Sequence, residues 1–514
     1  MKIPGIDLVM RNVRFPIIFL LIFLLSFALR MSLISKGPYN VDCLTLASEA
    51  EKTLSSGQLG HMLGTGYPLT VITGALFIFI FNLFHIPDPV LAVNFMSVVA
   101  SSLGVLAFYF LSRELFGRTA AFFSAVMLSA CPIFLGISVY GKSQPLNLVL
   151  LISGIYFLFA YKREKFISSL ILGGFFIGCT GANRLHELVL LFFPISYLLM
   201  WPARKTDAKA LREEKLNWNA FFLFWSLVGV ITALGHLPYF IQENSAAYFK
   251  QIADWFDAGF HGKFVFGYSP RIWIGAGYLV RSLTWAGIAV FLGGMFLIFK
   301  MNRRTFLFLF LWIIFPYVFY SNSSMSVTPR YFVIVLPPVL LAQGYMFSYL
   351  VNKHKALKFA SAVLLLVIIN VLWFRIYPML VIRHENAYLP QYARWISRNT
   401  EAGARIISSD ESSFIKRYGG RSPLARPLGA RRISPGELDQ FKREVDALLD
   451  DKVPVYIHSV SLYSYDPGRN FERFMMENYH LLWVGAALYE DWHRGEMASD
   501  IFPNHLYKVE KAQI

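Results

Sequence analysis

The sequence predicts a polytopic α-helical membrane protein of about 11 spans, followed by an extracytoplasmic α/β domain. Three observations predict it. Of the 514 residues 56% are apolar and only 16% charged, and the apolar ones gather in uncharged runs near bilayer length. The basic residues cluster in the short segments between those runs. After residue 378 the runs stop, and short strand-like and helix-like patterns alternate instead.

The runs fall at 15–34, 67–84, 89–112, 119–138, 144–161, 166–182, 186–201, 217–240, 271–298, 305–321, 331–350 and 357–378. Lys2, Arg11 and Arg14 place the N-terminus in the cytoplasm by the positive-inside rule. No small-residue cleavage site precedes a polar mature region, so the first run is expected to be a retained span and not a signal peptide. Arg113 and Arg118, Lys162 to Lys165, the 202–216 segment, Lys300 to Arg304, and Lys353 to Lys358 also read as cytoplasmic. That leaves 36–66, 139–143, 183–185, 241–270, 322–330 and everything beyond 378 outside.

Crossings by all these runs would return the C-terminus to the cytoplasm. The run 67–84 breaks the alternation: it opens on Gly66-Tyr67-Pro68 and ends at Asn82, His85 and Pro87. It is expected to re-enter or to lie along the outer face, where covering protein tolerates such backbone. The domains are then 1–378, a transmembrane domain with the first outer loop 36–66, and 379–514, a soluble domain. In the latter, Gln391–Arg398 and Glu437–Leu449 read as helices, and Ala404–Ser409 and Val453–Ile457 as strands, which together predict a small α/β domain. It shows no Gly-rich phosphate loop and no metal-spaced His/Cys cluster. Covering the membrane site or recognising an acceptor is its expected task.

The net charge is +16, from 48 basic and 32 acidic residues. From Leu380 onward there are 18 of each, so residues 1–379 hold 30 basic and 14 acidic residues and carry the whole excess. Because that excess sits in short loops between spans, it reads as cytoplasmic anchoring and not as a nucleic-acid surface. Cys43, Cys131 and Cys179 imply no disulfide framework and no cysteine metal site. No pair of broken helices recurs in two halves, as inverted-repeat transporters would have.

The first outer loop is the richest in chemistry. Asp42 follows the first membrane exit, and Glu49 lies seven residues on, two turns along the same helix face. His61 and Tyr67 follow, with glycines beside a Tyr-Pro that suit a tight turn back into the membrane. A carboxylate next to an apolar span is costly unless it has a role; the bland alternative is a solvated helix face, which suits Glu51 beside Lys52. Outer-side cations are Lys142, Arg184 with His186, Arg271, Arg281 and Arg330. Arginine grips phosphate by parallel hydrogen bonds, although an interfacial arginine also snorkels to lipid headgroups. The segment 241–270 adds Glu243, Asp254, Asp257, His261 and Lys263 among aromatic residues, suited to a sugar platform or an interfacial helix.

These pieces together resemble the multi-spanning GT-C glycosyltransferases, and among them the protein O-mannosyltransferase-like branch. The resemblance rests on order and spacing over roughly residues 10–350. Asp42 follows the first span, then come His61 and Gly66-Tyr67-Pro68-Leu69, and Asn94-Phe95-Met96-Ser97. Arg113 to Arg118 begin a second hairpin, and Arg330-Tyr331 precedes Leu336-Pro337-Pro338 and Gly344.

The resemblance implies transfer of a sugar, such as mannose or another hexose, from a polyprenyl-phosphate donor to a hydroxyl on a protein or envelope glycan outside the membrane. Asp42 would take the place of the catalytic first-loop acid, drawing the proton from the acceptor hydroxyl in an inverting transfer. Glu49, His61, Tyr67, Lys142, Arg184, His186, Glu187, Arg330 and Tyr331 would bind substrate, with Arg330 and Arg184 as preferred phosphate ligands. Many such enzymes carry a second acid in the next outer loop; here that loop offers Lys142 and Gln144. A metal-independent enzyme with no cofactor is therefore expected, with Glu187 or Glu243 left as the carboxylates that would complete a divalent-cation site. A flippase for lipid-linked glycans and a non-catalytic assembly protein are the rival functions. The expected location is a prokaryotic inner membrane, with the N-terminus cytoplasmic and the C-terminal domain outside.

Overall fold

The computed structural model describes residues 14–62, 66–200, 218–242, 250, 253, 271–322, 328–409, 411–427, 435–464, 466, 468–491, 497 and 500–512. The chain divides into two units. One comprises Met1–Ile34, Leu46–Val381 and Gly495–Met497; the other comprises Ser35–Thr45, Ile382–Arg494 and Ala498–Ile514.

The apolar runs are helical. In chain order the helices are α1 (Arg14–Met31), α2 (Val41–Ser56), α3 (Pro68–Leu83), α4 (Pro89–Ala130), α5 (Pro132–Ser138), α6 (Ser143–Glu164), α7 (Ile167–Asn183), α8 (Leu185–Met200), α9 (Trp218–Gln242), α10 (Arg271–Met301), α11 (Arg303–Asn322), α12 (Leu336–Lys353) and α13 (Lys355–Glu385). A 3-10 turn, Pro329–Val335, leads into α12. Among the described residues, 7 helices are long and apolar enough to cross a membrane, and shorter apolar helices include Pro68–Leu83, Ile167–Asn183 and Leu185–Met200.

Local chemistry sets the breaks. α4 has 42 residues, roughly 63 Å at 1.5 Å per residue, about twice the hydrocarbon thickness. It breaks at Gly117 (φ 85, ψ 178), a conformation essentially restricted to glycine, so the runs 89–112 and 119–138 are separate limbs. Asp88 starts α4 by accepting from the Val90 and Leu91 amides at 3.0 Å, with Pro89 at the first helical position. α10 is similarly interrupted at Thr284 (φ 65), whose hydroxyl accepts from the Gly287 amide at 3.1 Å and caps the second limb.

Side chains in this unit are arranged inside out. Leu25, Phe359 and Phe374 are 69%, 75% and 77% exposed, while Ser97, Ser101, Asn147 and Asn183 are buried. Apolar exposure with polar burial suits a lipid solvent, and the unit is membrane-embedded. Gly174 and Gly178 on α7 let α9 approach closely: a Cβ there would lie 2.8 Å from Leu227 Cδ2 and 2.7 Å from Ile231 Cβ.

The second unit contains a five-stranded sheet. Its strands are β1 (Arg405–Ser408), β2 (Ser422–Ala425), β3 (Val455–His458), β4 (Tyr479–Asp491) and β5 (Asp500–Lys511), in the order β2-β1-β3-β5-β4. β1 pairs parallel with β2 and β3, and β5 pairs antiparallel with β3 and β4. Helix α14 (Tyr388–Arg398) precedes β1, and α15 (Ser412–Gly419), α16 (Pro435–Asp450), α17 (Ser459–Tyr463) and α18 (Asn470–Asn478) lie between successive strands. Ile407, Val455, Ile457, Phe441, Val445 and Phe471 form its core. The two expected helices lie inside α14 and α16; the expected strand 404–409 contains β1, and 453–457 overlaps β3. The long β4–β5 ladder was not anticipated. Gly485 and Ala486 interrupt any apolar alternation in β4, and the register shifts between Trp483 and Gly485.

Candidate active site

In the membrane unit a buried polar cluster forms where α7 hands over to α8. Arg184 sits between the two helices, and its carbonyl accepts from the Glu187 amide at 3.0 Å, starting α8. Glu187 is thereby one turn on, and Arg184 Nε donates to Glu187 Oε1 at 2.5 Å. Both side chains are nearly inaccessible, at 3% and 4% exposure. Arg184 Nη1 donates to Ser143 Oγ at 2.7 Å, and Nη2 meets His186 Nε2 at 3.1 Å. Arginine only donates, so Nε2 accepts and His186 carries its proton on Nδ1.

The cluster extends through amides. Asn147 Nδ2 donates to Glu187 Oε2 at 2.5 Å, and Asn183 Nδ2 donates to Asn147 Oδ1 and the Ser143 carbonyl, each at 3.2 Å. Thr70, on α3, donates to Asn183 Oδ1. Both Glu187 oxygens are thus engaged, one by a cation and one by an amide.

Tyr67 closes one side. Its backbone is left-handed (φ 49, ψ 53) immediately before Pro68, an uncommon state for a bulky residue that the surroundings must impose. The Arg184 guanidinium lies 5.2 Å from the Tyr67 ring centroid. On another side the Tyr320 ring stands edge-on to His186 at 6.3 Å and stacks on Tyr331 at 5.2 Å and 7°. Arg330, in the 3-10 turn, lies 5.4 Å from the Tyr331 ring.

Lys142 precedes Ser143 and is 2% exposed. α4 pins its backbone: the Lys142 amide donates to Ser97 Oγ at 3.0 Å and the Gly141 amide to Asn94 Oδ1 at 2.7 Å. That is the structural content of Asn94-Phe95-Met96-Ser97. Seven of the residues singled out in the sequence therefore form one neighbourhood: Tyr67, Lys142, Arg184, His186, Glu187, Arg330 and Tyr331.

Glu49 and His61 belong to an adjoining layer. Gly60 packs so tightly on Glu49 that a Cβ would meet its Oε2 at 2.6 Å, and the Gly60 amide donates to Thr53 Oγ1 at 2.8 Å. Tyr239 Oη donates to the Gly60 and Gly66 carbonyls at 2.9 and 3.0 Å, and its ring lies 5.0 Å from His61. Asp42, in the first turn of α2, belongs to the other unit, where it is half-buried. Glu243, Asp254, Asp257, His261 and Lys263 lie outside the described residues. No group of three or more His, Cys, Asp or Glu side chains placed to hold a metal ion occurs among the described residues.

Sequence reading passed over Asn147, a lone amide in an apolar run, and Arg30, at the end of the first run. Arg30 is fully buried, donates from Nη1 to Ser26 Oγ at 2.7 Å, and lies 5.1 Å from the Phe134 ring. The signal for both was the rarity of polar groups within spans.

Residues 70–235 match the dolichyl-phosphate-mannose-protein mannosyltransferase family. No curated protein matches the sequence. Among solved structures the chain is similar to ArnT from Cupriavidus metallidurans bound to undecaprenyl phosphate (TM-score 0.60, 13% identity, 97% of this chain and 98% of that one). It is also similar to the archaeal oligosaccharyltransferase AglB from Archaeoglobus fulgidus, in complex with an inhibitory peptide and a dolichol-phosphate (TM-score 0.56, 15% identity, 94% of this chain and 74% of that one). A further similarity is to the arabinofuranosyltransferase AftD from Mycobacteria (TM-score 0.53, 13% identity, 96% of this chain and 40% of that one). The likeness is one of fold, and the fold expected from the sequence is borne out.

Proposed function

We propose that this protein transfers a sugar, a hexose such as mannose, from a polyprenyl-phosphate donor to a hydroxyl of a protein or envelope glycan outside the membrane. One observation carries the reading: a GT-C fold that buries cations and amides together at the junction of α7 and α8. ArnT, similar along nearly its whole length, was solved with undecaprenyl phosphate, and AglB with a dolichol-phosphate and a peptide. In this proposal Arg330, Lys142 and Arg184 face the departing phosphate, where cations in a water-poor site stabilise developing charge strongly. Glu187 and Asn147 hold Arg184 in place. Tyr67, His186, Tyr331, His61 and Glu49 shape the donor and acceptor pockets.

Asp42 is the proposed base. It takes the acceptor proton as the acceptor oxygen attacks the anomeric carbon and the sugar–phosphate bond breaks, which inverts that carbon. The reaction is proposed to need no metal, since Glu187 already gives both oxygens to Arg184 and Asn147. The proposed setting is a prokaryotic inner membrane, N-terminus inside, with the acceptor arriving from outside.

Membranes bearing the protein, or its Asp42→Asn variant, would be supplied with radiolabelled polyprenyl-phosphate sugars. The wild type is expected to label an acceptor, and the variant to lose about 10²- to 10⁴-fold in rate. Full transfer by the variant would remove Asp42 from the base role. Absence of transfer with every donor would move the assignment to lipid-linked glycan flipping.

A further inference from the structure

We infer that Arg383, held by Glu490, is a positioning residue for the acid-bearing segment, so that the sheet unit itself orients Asp42; this rests on the reading of Asp42 as base. All the residues involved belong to one unit. Arg383 lies in the last turn of α13 and Glu490 near the end of β4, and they pair at 3.0 Å between Arg383 Nε and Glu490 Oε1. Their side chains are 1% and 5% exposed. A buried pair of this kind is weak evidence for stability, because desolvation offsets its attraction. Its geometry towards the segment 35–42 indicates a further task.

The Arg383 guanidinium carbon lies over the Tyr39 ring, 3.2 Å from its centroid. The Arg383 carbonyl accepts from the Lys36 amide at 3.3 Å and from Ser35 Oγ at 3.4 Å. Ser35 Oγ also lies 2.9 Å from the Gly37 carbonyl, and Lys36 Nζ donates to the Glu385 carbonyl at 3.4 Å. Gly37 sits on Ala387, where an added Cβ would come within 2.8 Å. Asn40, fully buried, then caps α2 by accepting the Cys43 amide at 3.1 Å. Ser35, Lys36, Gly37, Tyr39 and Asn40 are thus each fixed, and Asp42 follows two residues later in the first helical turn. A base displaced by ~1 Å loses up to about 10²-fold in rate.

The test uses the full-length protein in micelles, with Asp42→Asn, Arg383→Met and the double variant R383M/E490L compared with wild type. The single change removes the guanidinium from beside the buried Glu490 carboxylate and can abolish folding; the double change removes both charges and is expected to fold. The double variant is expected to lose tenfold or more in kcat with KM for the donor within about threefold, as a misplaced base predicts. Its amides from Tyr39 to Leu44 are expected to exchange with deuterium at least tenfold faster. Wild-type kcat, or unchanged exchange at those amides, overturns the inference. Should the double variant not fold, Tyr39→Leu, which leaves the ion pair intact, carries the same two expectations and the same two overturning results. Full activity of Asp42→Asn would instead defeat the base assignment, while accelerated exchange would still report the clamp.

Discussion

Two buried polar networks, one in each unit, differ in what their hydrogen bonds reach. In the membrane unit the bonds run mainly from side chain to side chain: Thr70 to Asn183, Asn183 to Asn147, Asn147 to Glu187, and Arg184 to Glu187, Ser143 and His186. In the sheet unit side chain–side chain bonds, such as Ser409 to Glu411 and Tyr489 to Glu411, are joined by as many to backbone. Arg426 donates to the Ser461 and Ser464 carbonyls, Asn504 Oδ1 accepts the Val460 amide, and Ser461 Oγ accepts the Ser409 amide. Side chain–side chain bonds are the minority class in proteins, so a cluster built chiefly from them, as in the membrane unit, stands out.

The sheet network contains a deceptive Ser-His-Asn arrangement. Ser461 Oγ lies 3.0 Å from His458 Nε2, and Asn504 Nδ2 lies 3.2 Å from His458 Nδ1. Because Asn504 Oδ1 faces the Val460 amide, its Nδ2 must face the imidazole, so Nδ1 accepts and Nε2 donates to Ser461. The histidine therefore does not draw a proton from the serine. All three residues are fully buried, so this is architecture.

The largest effect that would break the contrast is expected at Glu187. Glu187→Leu leaves Arg184 buried without its counter-charge, costing about 3–5 kcal/mol in thermal unfolding as well as transfer activity. A variant as stable as wild type would show the membrane cluster to be as dispensable as a surface pair. In the sheet unit, Ser461→Ala removes one acceptor from the Ser409 amide and is expected to cost about 1–3 kcal/mol while leaving transfer rates unchanged. A hundredfold loss of rate with normal melting would contradict the architectural reading. Gly117→Ala places a Cβ on a backbone essentially reserved for glycine and is expected to destabilise the membrane unit by about 1–3 kcal/mol.

The smallest expected effect is that of pH. Burial, the main cause, holds His458 below its ordinary range; Glu411 opposes this and Arg426 adds to it. With its folded pKa lowered, the unfolded chain binds the proton more readily, so stability rises with pH across the window between the folded value and about 6.5. Its contribution is fully present above that window and is lost as pH falls through it. The protection of β3 amides, taken relative to unfolded peptide at the same pH, should therefore fall between about pH 7 and 5 more in wild type than in His458→Asn. An equal fall in both would refute it.

Much of the fold was legible in sequence because its signals are local. The apolar runs became helices, whereas the start at Asp88-Pro89 and the break at Gly117 emerged only in the structure. The motif Asn94 to Ser97 was visible, but its purpose, pinning Gly141 and Lys142, required two segments about forty-five residues apart to meet. Arg184 and Glu187 were each singled out in sequence, but their pairing was not. Nor was their connection to Asn147 and Thr70, because nothing in a lone amide within an apolar run names its partner.

By itself the sequence determined the membrane class, the helical runs and the set of loop residues capable of chemistry, since hydropathy and charge act residue by residue against bilayer and water. Only the tertiary structure decided that Tyr67, Arg184, Glu187 and Tyr331 share a neighbourhood. It alone placed Ser35–Thr45, with Asp42, in the sheet unit through Arg383 and Tyr39. Those pairings depend on packing between segments hundreds of residues apart, and no local periodicity encodes them.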